Sequence, residues 1–458
     1  MPTLTHSTEL PFSARHVHDW HLRPGALHRL APHWAMTIRQ AARPLPGQVA
    51  HLEIPVPFTG GLLRLPFVSK YQAGPQELSH SDQMLSGPFS HWHHTHRFEP
   101  LSPTTSALID QIEWRPLPGM PEGPLKRMID ATFAARHRRI ARDLAEGAAL
   151  DAQFPRRLRI LIAGASGLIG TQVAALLGSL GHEIRLLVRR APRAGQSQWD
   201  PQRGQLNPAD VAWADAVIHL GGVSVGQRFT TISRHAIRYS RVASTQVIAD
   251  TIAGLPESDR PEVFVCASAT GAYGSRRPGE DLTEDTPTGD GFLADVCRQW
   301  ETRAARVADA GVRPVSMRTG VVLTSLGGIL PQQLPLFLAG VGGPLGDPQA
   351  YFPWISLDDI ARTYCRAVLD SSLSGPVNAV APKAVTNREF ADTLADLLRR
   401  PAAIPVPRFG PELLLGRQCA EELVFVDQKV VPTGLVQAGF AFTHPNLRVA
   451  LRETLGID

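Results

Sequence analysis

A glycine-rich loop between a buried-strand pattern and a helical pattern constrains this chain more than any other feature. The strand pattern is Arg159–Ala163, the loop is Gly164-Ala-Ser-Gly167-Leu-Ile-Gly170, and the helical pattern covers Thr171–Leu180. In this context the first glycine permits a tight turn and the second lets the backbone approach a pyrophosphate, while the third allows close packing of the helix on the sheet. The pattern predicts a dinucleotide at the helix N-terminus. The alternative is a glycine-rich turn that binds nothing.

The residues expected to contact the dinucleotide come from this loop and from the ends of two further strands. They are Gly164, Ser166, Gly167, Leu168, Ile169, Gly170, Arg189, Arg190, Leu220, Gly221 and Gly222. A carboxylate at the end of the second strand would hold the ribose 2′-OH of NAD, but none stands beside Arg189 and Arg190. A planar guanidinium matches phosphate oxygens, so we expect NADP(H) in preference to NAD(H). The alternative is that both arginines are solvated residues at a strand end.

Apolar strand patterns alternate with helical segments beyond the loop. After the first strand they occur at Ile184–Val188, Ala216–Leu220, Val263–Ala267 and Val315–Arg318. This alternation predicts an α/β fold with a doubly wound parallel sheet.

The residues before the loop follow a different pattern. Strand-length segments separated by turn residues occur at Val49–Pro55, Ser79–Met84, His91–Phe98 and Ser106–Trp114. A helical pattern over Leu125–Leu144 follows them, which predicts an α+β domain with an antiparallel sheet wrapped around a long helix. We therefore expect an α+β domain over 1–146, a linker over 147–156, the α/β domain with a substrate-side cap over 157–400, and a small domain over 401–458.

Composition excludes several classes of protein. The 458 residues carry a net charge of +4 without a basic block, so no nucleic-acid partner is expected. No apolar run is long enough to span a membrane, and the first residues contain no signal-peptide pattern. The four cysteines lie far apart, which is typical of a reducing compartment. We expect a soluble cytoplasmic protein.

Several motifs in order resemble the epimerase-like branch of the atypical short-chain dehydrogenases/reductases. Beyond the loop they are His219-Leu-Gly-Gly222, Ser268-Ala-Thr-Gly-Ala-Tyr-Gly274, Phe292–Cys297 with Trp300-Glu301, Arg318–Leu323, Gly327-Gly328, Trp354–Asp359, Gly375–Asn378, Ala381-Pro382 and Ala438–Phe440. The similarity runs from near Arg157 to the end of the sequence. It implies an extended Rossmann domain with the branch's small C-terminal domain, NADP(H) binding, and an epimerase or oxidoreductase activity. Dimers are common in the superfamily, so a homodimer is also an expectation.

The first 146 residues more loosely resemble a START/polyketide-cyclase-like (SRPBCC) helix-grip domain. Some members of the branch carry such a domain in front of the Rossmann part. The resemblance implies a cavity for a small apolar ligand, but neither resemblance supplies a substrate.

The usual catalytic residues of the superfamily are missing at the expected positions. Extended members use a Ser or Thr, a Tyr, and a Lys four residues after that Tyr. Counting back from Glu301 places Leu293 at the Tyr position and Cys297 at the Lys position, and counting back from Tyr273 places Ala269 at the Ser position.

We considered which residues could replace them. Ser268 and Tyr273 lie at the C-terminal end of a predicted parallel strand, where open α/β sheets bind ligands, and Glu284 follows in a loop. We predict Tyr273 as the acid, Glu284 as its partner and Ser268 beside them. The alternative is that Tyr273 packs in the turn and Glu284 is solvated. His219 is expected to be structural, and Cys297 to be a buried, inert thiol.

The front of the chain is rich in histidine. Of 17 histidines, 12 fall within the first 100 residues, among them the run His91-Trp-His-His-Thr-His96. On a strand His91 and His93 face one side while His94 and His96 face the other, which makes a poor single metal site without further ligands. We therefore expect no metal, and a strand whose rings contact a small apolar ligand or the neighbouring domain.

Three functions remain open on the sequence alone. The first is an NADP(H)-dependent oxidoreductase or epimerase-like protein acting on a small molecule that the front domain captures. The second is a non-catalytic, NADP(H)-responsive regulatory or ligand-binding protein. The third is a lipid or polyketide carrier whose Rossmann domain is mainly a scaffold.

Overall fold

The computed structural model describes residues 2–55, 63–402 and 405–457. Its N-terminal part contains, in chain order, β1 (Thr3–Leu10), α1 (Ala14–Leu22), α2 (Ala26–Leu30), β2 (Thr37–Gln40), β3 (Val49–Pro55), β4 (Arg64–Ala73), β5 (Ser79–Ser86), β6 (Phe89–Pro100), β7 (Ser106–Pro116) and α3 (Glu122–Gln153). The strands form one antiparallel sheet in the order β1-β7-β6-β5-β4-β3-β2. The predicted strands and the predicted long helix are therefore confirmed.

Buried and half-buried side chains alternate along β6, and this alternation explains how the sheet packs. Trp92, His94, His96 and Phe98 are buried on one face, while the residues between them are only half-buried. Phe133 on α3 packs against His94, with ring centroids 4.8 Å apart. The inner face of the sheet is thus closed by the long helix, as a period of two on a strand requires.

The helix α3 is longer than the sequence pattern indicated. Most of the linker predicted at 147–156 is helical, because α3 continues to Gln153. Ala148, Ala149 and Ala152 favour a helix without any apolar periodicity, and Leu150 packs against the core of the following part. The chain leaves the helix only at Phe154, shortly before the next strand.

The second part of the chain alternates strands and helices. Its elements are β8 (Arg159–Ala163), α4 (Leu168–Ser179), β9 (Glu183–Val188), β10 (Gln196–Asp200), β11 (Gln205–Leu206), α5 (Pro208–Ala212), β12 (Ala216–His219), α6 (Thr231–Gly254), β13 (Val263–Ala269), β14 (Arg276–Leu282), α7 (Phe292–Ala305), β15 (Arg313–Thr319), β16 (Val321–Leu323), α8 (Leu330–Leu338), β17 (Tyr351–Phe352), β18 (Trp354–Ser356), α9 (Leu357–Leu369), β19 (Gly375–Ala379), β20 (Val385–Thr386) and α10 (Asn387–Leu398). Short 3₁₀ turns cover Glu257–Asp259, Thr270–Tyr273 and Arg306–Ala310.

One large sheet organises this part, in the order β11-β10-β9-β8-β12-β13-β15-β19. All its pairings are parallel except that between β10 and β11. One face packs on α4 and α9, with Leu176 and Ile360 in the core, and the other on α6 and α7, with Ile248 and Trp300. The doubly wound parallel sheet is confirmed.

The last segment contains α11 (Phe409–Leu415), α12 (Arg417–Leu423), β21 (Asp427–Val430), α13 (Thr433–Gln437) and α14 (Leu447–Leu455). Its buried side chains join cores of the preceding part: Leu435 packs with the parallel sheet, and Leu451 packs with Leu394 of α10. β21 also pairs with β14. In the described residues, the segment predicted as a small domain at 401–458 thus shares its core with the α/β part. No described helix combines the length and the apolar character needed to cross a membrane.

A buried ion-pair network joins the N-terminal part to the α/β part. Arg29 on α2 donates to both carboxylate oxygens of Asp143 on α3, at 2.7 and 2.8 Å, and to Asp358 on α9 at 2.7 Å. All three side chains are at most 4% exposed. Because α2 also lies directly on α4, the N-terminal part is fixed against the helix that follows the glycine loop.

His444 extends this network into the last segment. Its Nδ1 lies 2.9 Å from the hydroxyl of Ser356, which itself donates to Asp359, and its Nε2 lies 2.8 Å from Glu453. Both ring nitrogens therefore face acceptors. Burial lowers the pKa of His444, but the hydrogen bonds with Asp359 and Glu453 outweigh it and raise that pKa to about 9. The imidazole is therefore charged at neutral pH.

This network predicts a specific pH dependence of stability. A histidine whose pKa is higher in the folded than in the unfolded chain stabilises fully below about pH 6.5, and this contribution is lost as the pH rises towards about 9. We expect the free energy of unfolding to fall over that interval, and His444→Gln to lessen the fall. The measurement is urea denaturation at a series of pH values. The control is His235→Gln, an exposed histidine on α6; an equal pH dependence in the two variants would contradict the assignment.

Candidate functional site

The glycine loop connects β8 to α4 in the way that its spacing predicts. Gly164 directly follows β8 with φ +86°, in the left-handed region that favours glycine, and a Cβ there would lie 2.6 Å from the backbone carbon of Leu220. A Cβ on Gly170 would collide with the carbonyl oxygen of Gly164. The first and third glycines are therefore required by contacts within the protein.

The second glycine differs from the other two. A Cβ on Gly167 would meet only the carbonyl oxygen of Gly164, at 3.3 Å, and both Ser166 and Gly167 are exposed. Gly167 is also the N-cap of α4, so unpaired backbone N–H groups of Leu168 and Ile169 start the helix there. Space and donors for an anionic group thus coincide at this point, which fits a dinucleotide pyrophosphate.

Two arginines follow β9, the neighbour of β8 in the sheet. Arg189 and Arg190 are exposed, and neither side chain has a hydrogen-bond or ion-pair partner among the described residues. By contrast, Arg185 on the same strand is paired with Asp210 at 3.1 Å. The two guanidinium groups at the strand end are therefore free to bind an anion beside the loop.

The end of β12 lies on the other side of the loop. Leu220 and Gly221 contact Gly164, and Gly222 lies against the guanidinium of Arg241. His219 is fully buried, and its Nε2 forms a hydrogen bond with Ser244 at 2.8 Å. Burial lowers its pKa to about 3, with Arg241 adding to the effect. The neutral, enclosed imidazole agrees with the structural role expected for it.

The three positions matched to the superfamily's triad do come together at the end of β13. Cys297 on α7 lies against Ser268 and Ala269, and the side chain of Leu293 lies near Gly271, which follows Ala269 by two residues. Burial raises the pKa of Cys297 to about 11, so the thiol is protonated at neutral pH. The end of β13 therefore brings together three side chains that cannot act as acid or base at that pH.

Ser268 and Tyr273 lie at the C-terminal end of β13, as predicted, but their hydroxyls are engaged within the protein. Tyr273 is fully buried, with its hydroxyl 2.9 Å from the carbonyl of Thr283 and 2.7 Å from Oδ1 of Asn378. Burial raises its pKa. Ser268 is also buried and donates to Glu301 at 2.6 Å. Both hydroxyls are enclosed in internal hydrogen bonds, and the role of Tyr273 as a substrate acid stays a prediction.

Glu284 is neither a partner of Tyr273 nor a solvated residue. Its Oε1 accepts from the backbone N–H groups of Asn378 and Gly434, at 3.0 Å each. It therefore ties the last segment to the edge of the parallel sheet. Sequence reasoning placed it near Tyr273 correctly, but the backbone donors that engage it come from segments far away in the chain.

Sequence analysis missed the charged pair that organises this region. Arg318 on β15 donates to both oxygens of Glu301 on α7, at 2.9 and 2.8 Å, and to the Tyr273 hydroxyl at 3.0 Å. Both residues stood inside quoted motifs, but their pairing depends on the packing of α7 against β15. A second residue that it missed is Glu422 on α12, which accepts from the backbone N–H of Leu293 at 2.8 Å.

The enclosed hydroxyl of Tyr273 predicts a loss of stability in Tyr273→Phe. Asn378 and Thr283 would lose a buried donor, which costs about 1–3 kcal/mol of unfolding free energy. Tyr239→Phe is the matched control, because the Tyr239 hydroxyl also donates to a backbone carbonyl but is exposed; we expect a change within about 0.5 kcal/mol there. The measurement is chemical denaturation. Equal stability of the two variants would show that Tyr273 is not held as described.

A separate cavity lies within the N-terminal part, between the antiparallel sheet and α3. The cavity is open to solvent at its mouth. Apolar side chains such as Leu52, Phe67 and Phe133 line much of it, and the polar lining includes Asp82, His94, His96 and Arg136. One face of the strand with the histidine run therefore borders this cavity.

Comparisons with known proteins find similarity to proteins described as epimerases. Residues 160–378 match the NAD dependent epimerase/dehydratase family, and residues 406–454 match a domain of unknown function, DUF1731. An epimerase family protein of Mycobacterium bovis is 36% identical over 294 residues, which are 64% of this chain and 96% of the relative.

Two solved structures extend the comparison. The human epimerase family protein SDR39U1, solved with NADPH, is 32% identical with a TM-score of 0.59, over 65% of this chain and 99% of that one. The structure described as the nucleoside-diphosphate sugar epimerase from Corynebacterium glutamicum is 31% identical with a TM-score of 0.80. It covers 99% of this chain and 90% of its own, so this likeness includes the N-terminal part. The expected NADP(H) agrees with the human relative's ligand. Together with the glycine loop and the parallel sheet, these matches show that the chain belongs to the epimerase family.

Proposed function

We propose that this chain is an NADP(H)-binding oxidoreductase or epimerase-like protein that acts on a small molecule without a Ser/Tyr/Lys triad. The observation that carries the proposal is the pair of unpartnered guanidinium groups, Arg189 and Arg190, at the end of β9 beside an open glycine loop. A 2′-phosphate is the group of NADP(H) that NAD(H) lacks, and it would lie at this strand end. The NADPH present in the human relative's structure supports the same cofactor.

In this proposal, different residues of the chain bind different groups of NADP(H). Gly167 and the N-terminus of α4 hold the pyrophosphate, Arg189 and Arg190 hold the 2′-phosphate, and Leu220 to Gly222 border the ribose. The cofactor supplies hydride transfer. Leu293, Cys297 and Ala269 shape the nicotinamide end of the site.

Acid–base chemistry in this site falls to a group outside the triad positions. Glu422 brings a carboxylate to the backbone N–H of Leu293, beside the place of the missing Tyr. This carboxylate comes from the last segment, which would make residues 401–458 part of the substrate site. In this reading residues 157–400 hold the cofactor, and residues 1–146 form a START-like helix-grip domain that captures an apolar ligand in its cavity.

A second function also has an observation in its favour. The side chains of Ser268, Tyr273 and Glu284 are all engaged in internal contacts, and the triad positions hold no acid or base. A non-catalytic protein that responds to NADP(H) would need only the cofactor site and the cavity. Turnover of NADPH in the presence of a metabolite panel separates the two, because only the catalytic form consumes the cofactor.

The cofactor site gives a direct prediction for Arg189→Ala/Arg190→Ala. We expect NADPH binding to weaken roughly 10- to 100-fold, because hydrogen bonds to a charged group contribute about 1.5–3 kcal/mol. NADH binding should stay weak and nearly unchanged. The measurement is calorimetric titration of the full chain with each nucleotide.

A matched control removes two positive charges at exposed positions away from the glycine loop. Arg203→Ala/Arg306→Ala takes two arginines from exposed positions that are 77% and 53% accessible, and it should bind NADPH like the wild type. Equal losses of NADPH affinity in the two double variants would show that the effect depends only on the net charge of the protein. Equal affinity of the wild type for NADH and NADPH would overturn the assignment of the 2′-phosphate site.

A further inference from the structure

The buried histidines of β6 lie beside carboxylates from both neighbouring strands. The register pairs His94 with Asp82 on β5, and His96 with both His80 on β5 and Asp110 on β7. Directly opposed residues of an antiparallel pair face the same side of the sheet. Sheet pairing therefore supplies the further ligands that the histidine run lacks by itself.

Three of these side chains converge closely enough to share an ion. Asp82, His94 and His96 each offer one ligand atom, and these atoms all lie within 4.8 Å of one another. The side chains of His94 and His96 are 3% and 4% exposed. Ligands at about 2.0–2.2 Å from a zinc ion are about 3–3.5 Å apart, so small side-chain rotations would complete the set.

Unpartnered polar atoms provide an independent indication of a ligand. Nε2 of His94 and Nδ1 of His80 are buried without a hydrogen-bond partner in the described part of the chain. The Asp110 carboxylate lies 3.6 Å from the His94 nitrogen. A buried polar atom without a partner costs about 1–3 kcal/mol. His94 and His96 also line the cavity between the sheet and α3, which gives a ligand access to these two side chains.

Asp110 is placed to orient one of the ligands. One of its oxygens lies 2.6 Å from Nδ1 of His96, and the other lies 3.1 Å from Nε2 of His137. A carboxylate beside the far nitrogen of a metal-binding histidine is the usual second partner of such a site, because it fixes the ring and its tautomer.

We propose that Asp82, His94 and His96 bind one divalent first-row transition-metal ion, of the Zn²⁺ class, at the polar end of the N-terminal cavity. Two imidazoles and one carboxylate are a ligand set that such ions accept, and three protein ligands leave a coordination position open. That position faces a cavity lined by Leu52, Phe67 and Phe133. A small apolar molecule with one oxygen ligand, such as a carboxylate or a hydroxyl group, fits both the open coordination position and the apolar lining of the cavity. This site is independent of the NADP(H) site proposed above.

The test uses full-length protein without a histidine tag, treated with a chelator and titrated with Zn²⁺ by calorimetry and with Co²⁺ by visible absorption. We expect one ion per chain and a Co²⁺ spectrum of low coordination number. His94→Gln/His96→Gln should weaken Zn²⁺ binding at least roughly tenfold and abolish that spectrum. Asp82→Asn, which keeps the shape of the side chain, should weaken binding in the same direction.

The matched control is His91→Gln/His93→Gln, which removes two histidines from the opposite face of the same strand. It should bind Zn²⁺ like the wild type, and circular dichroism checks that every variant is folded. Absence of stoichiometric Zn²⁺ in the wild type would overturn the proposal, and so would equal losses in the two histidine pairs. Neither readout depends on NADPH, so failure of the cofactor proposal would leave this result interpretable.

Discussion

The guanidinium of Arg29 is the interaction on which the arrangement of the whole chain depends. It is almost completely buried and shared by Asp143 of the long helix and Asp358 of α9. Removing one partner of a buried ion pair leaves an uncompensated charge and costs about 3–5 kcal/mol. The antiparallel and the parallel parts of the protein are therefore held in one orientation by a contact that tolerates little change.

The same junction places the N-terminal part directly behind the cofactor loop. Gly25 and Gly178 allow the start of α2 to lie on the backbone of α4, where a Cβ on Gly178 would lie 2.6 Å from the carbonyl oxygen of Pro24. The N-terminus of α4 carries the glycine loop, while its body carries the contact with α2. One helix thus belongs to the cofactor site and to the interface between the two parts.

Local patterns predicted much of this architecture correctly. The glycine loop, the parallel strands and the strands of the front sheet follow from short-range periodicity, which needs no knowledge of distant partners. The helix over most of the expected linker was not predicted, because its alanines carry no apolar periodicity and the packing of Leu150 on the α/β part has no local signal. The hydrogen bonds of Tyr273 and Glu284 were not predicted for the same reason, since their partners Asn378 and Gly434 lie in other segments.

The histidine run shows most clearly what local sequence patterns cannot predict. Alternation along β6 correctly separated His94 and His96 from His91 and His93. It could not show that Asp82 and Asp110 stand opposite them, because the register of a sheet depends on three strands at once. Charged pairs such as Arg318 and Glu301 were hidden in the same way, although each residue stood in a quoted motif.

The most direct test of the cofactor assignment is a crystal structure of the full chain with NADPH. The predicted result has the 2′-phosphate within about 3 Å of the guanidinium nitrogens of Arg189 or Arg190, and the pyrophosphate over Gly167 at the start of α4. The nicotinamide should lie towards Leu293 and Cys297. A nucleotide whose 2′-phosphate points away from both arginines into solvent, or one bound outside the glycine loop, would contradict the central claim.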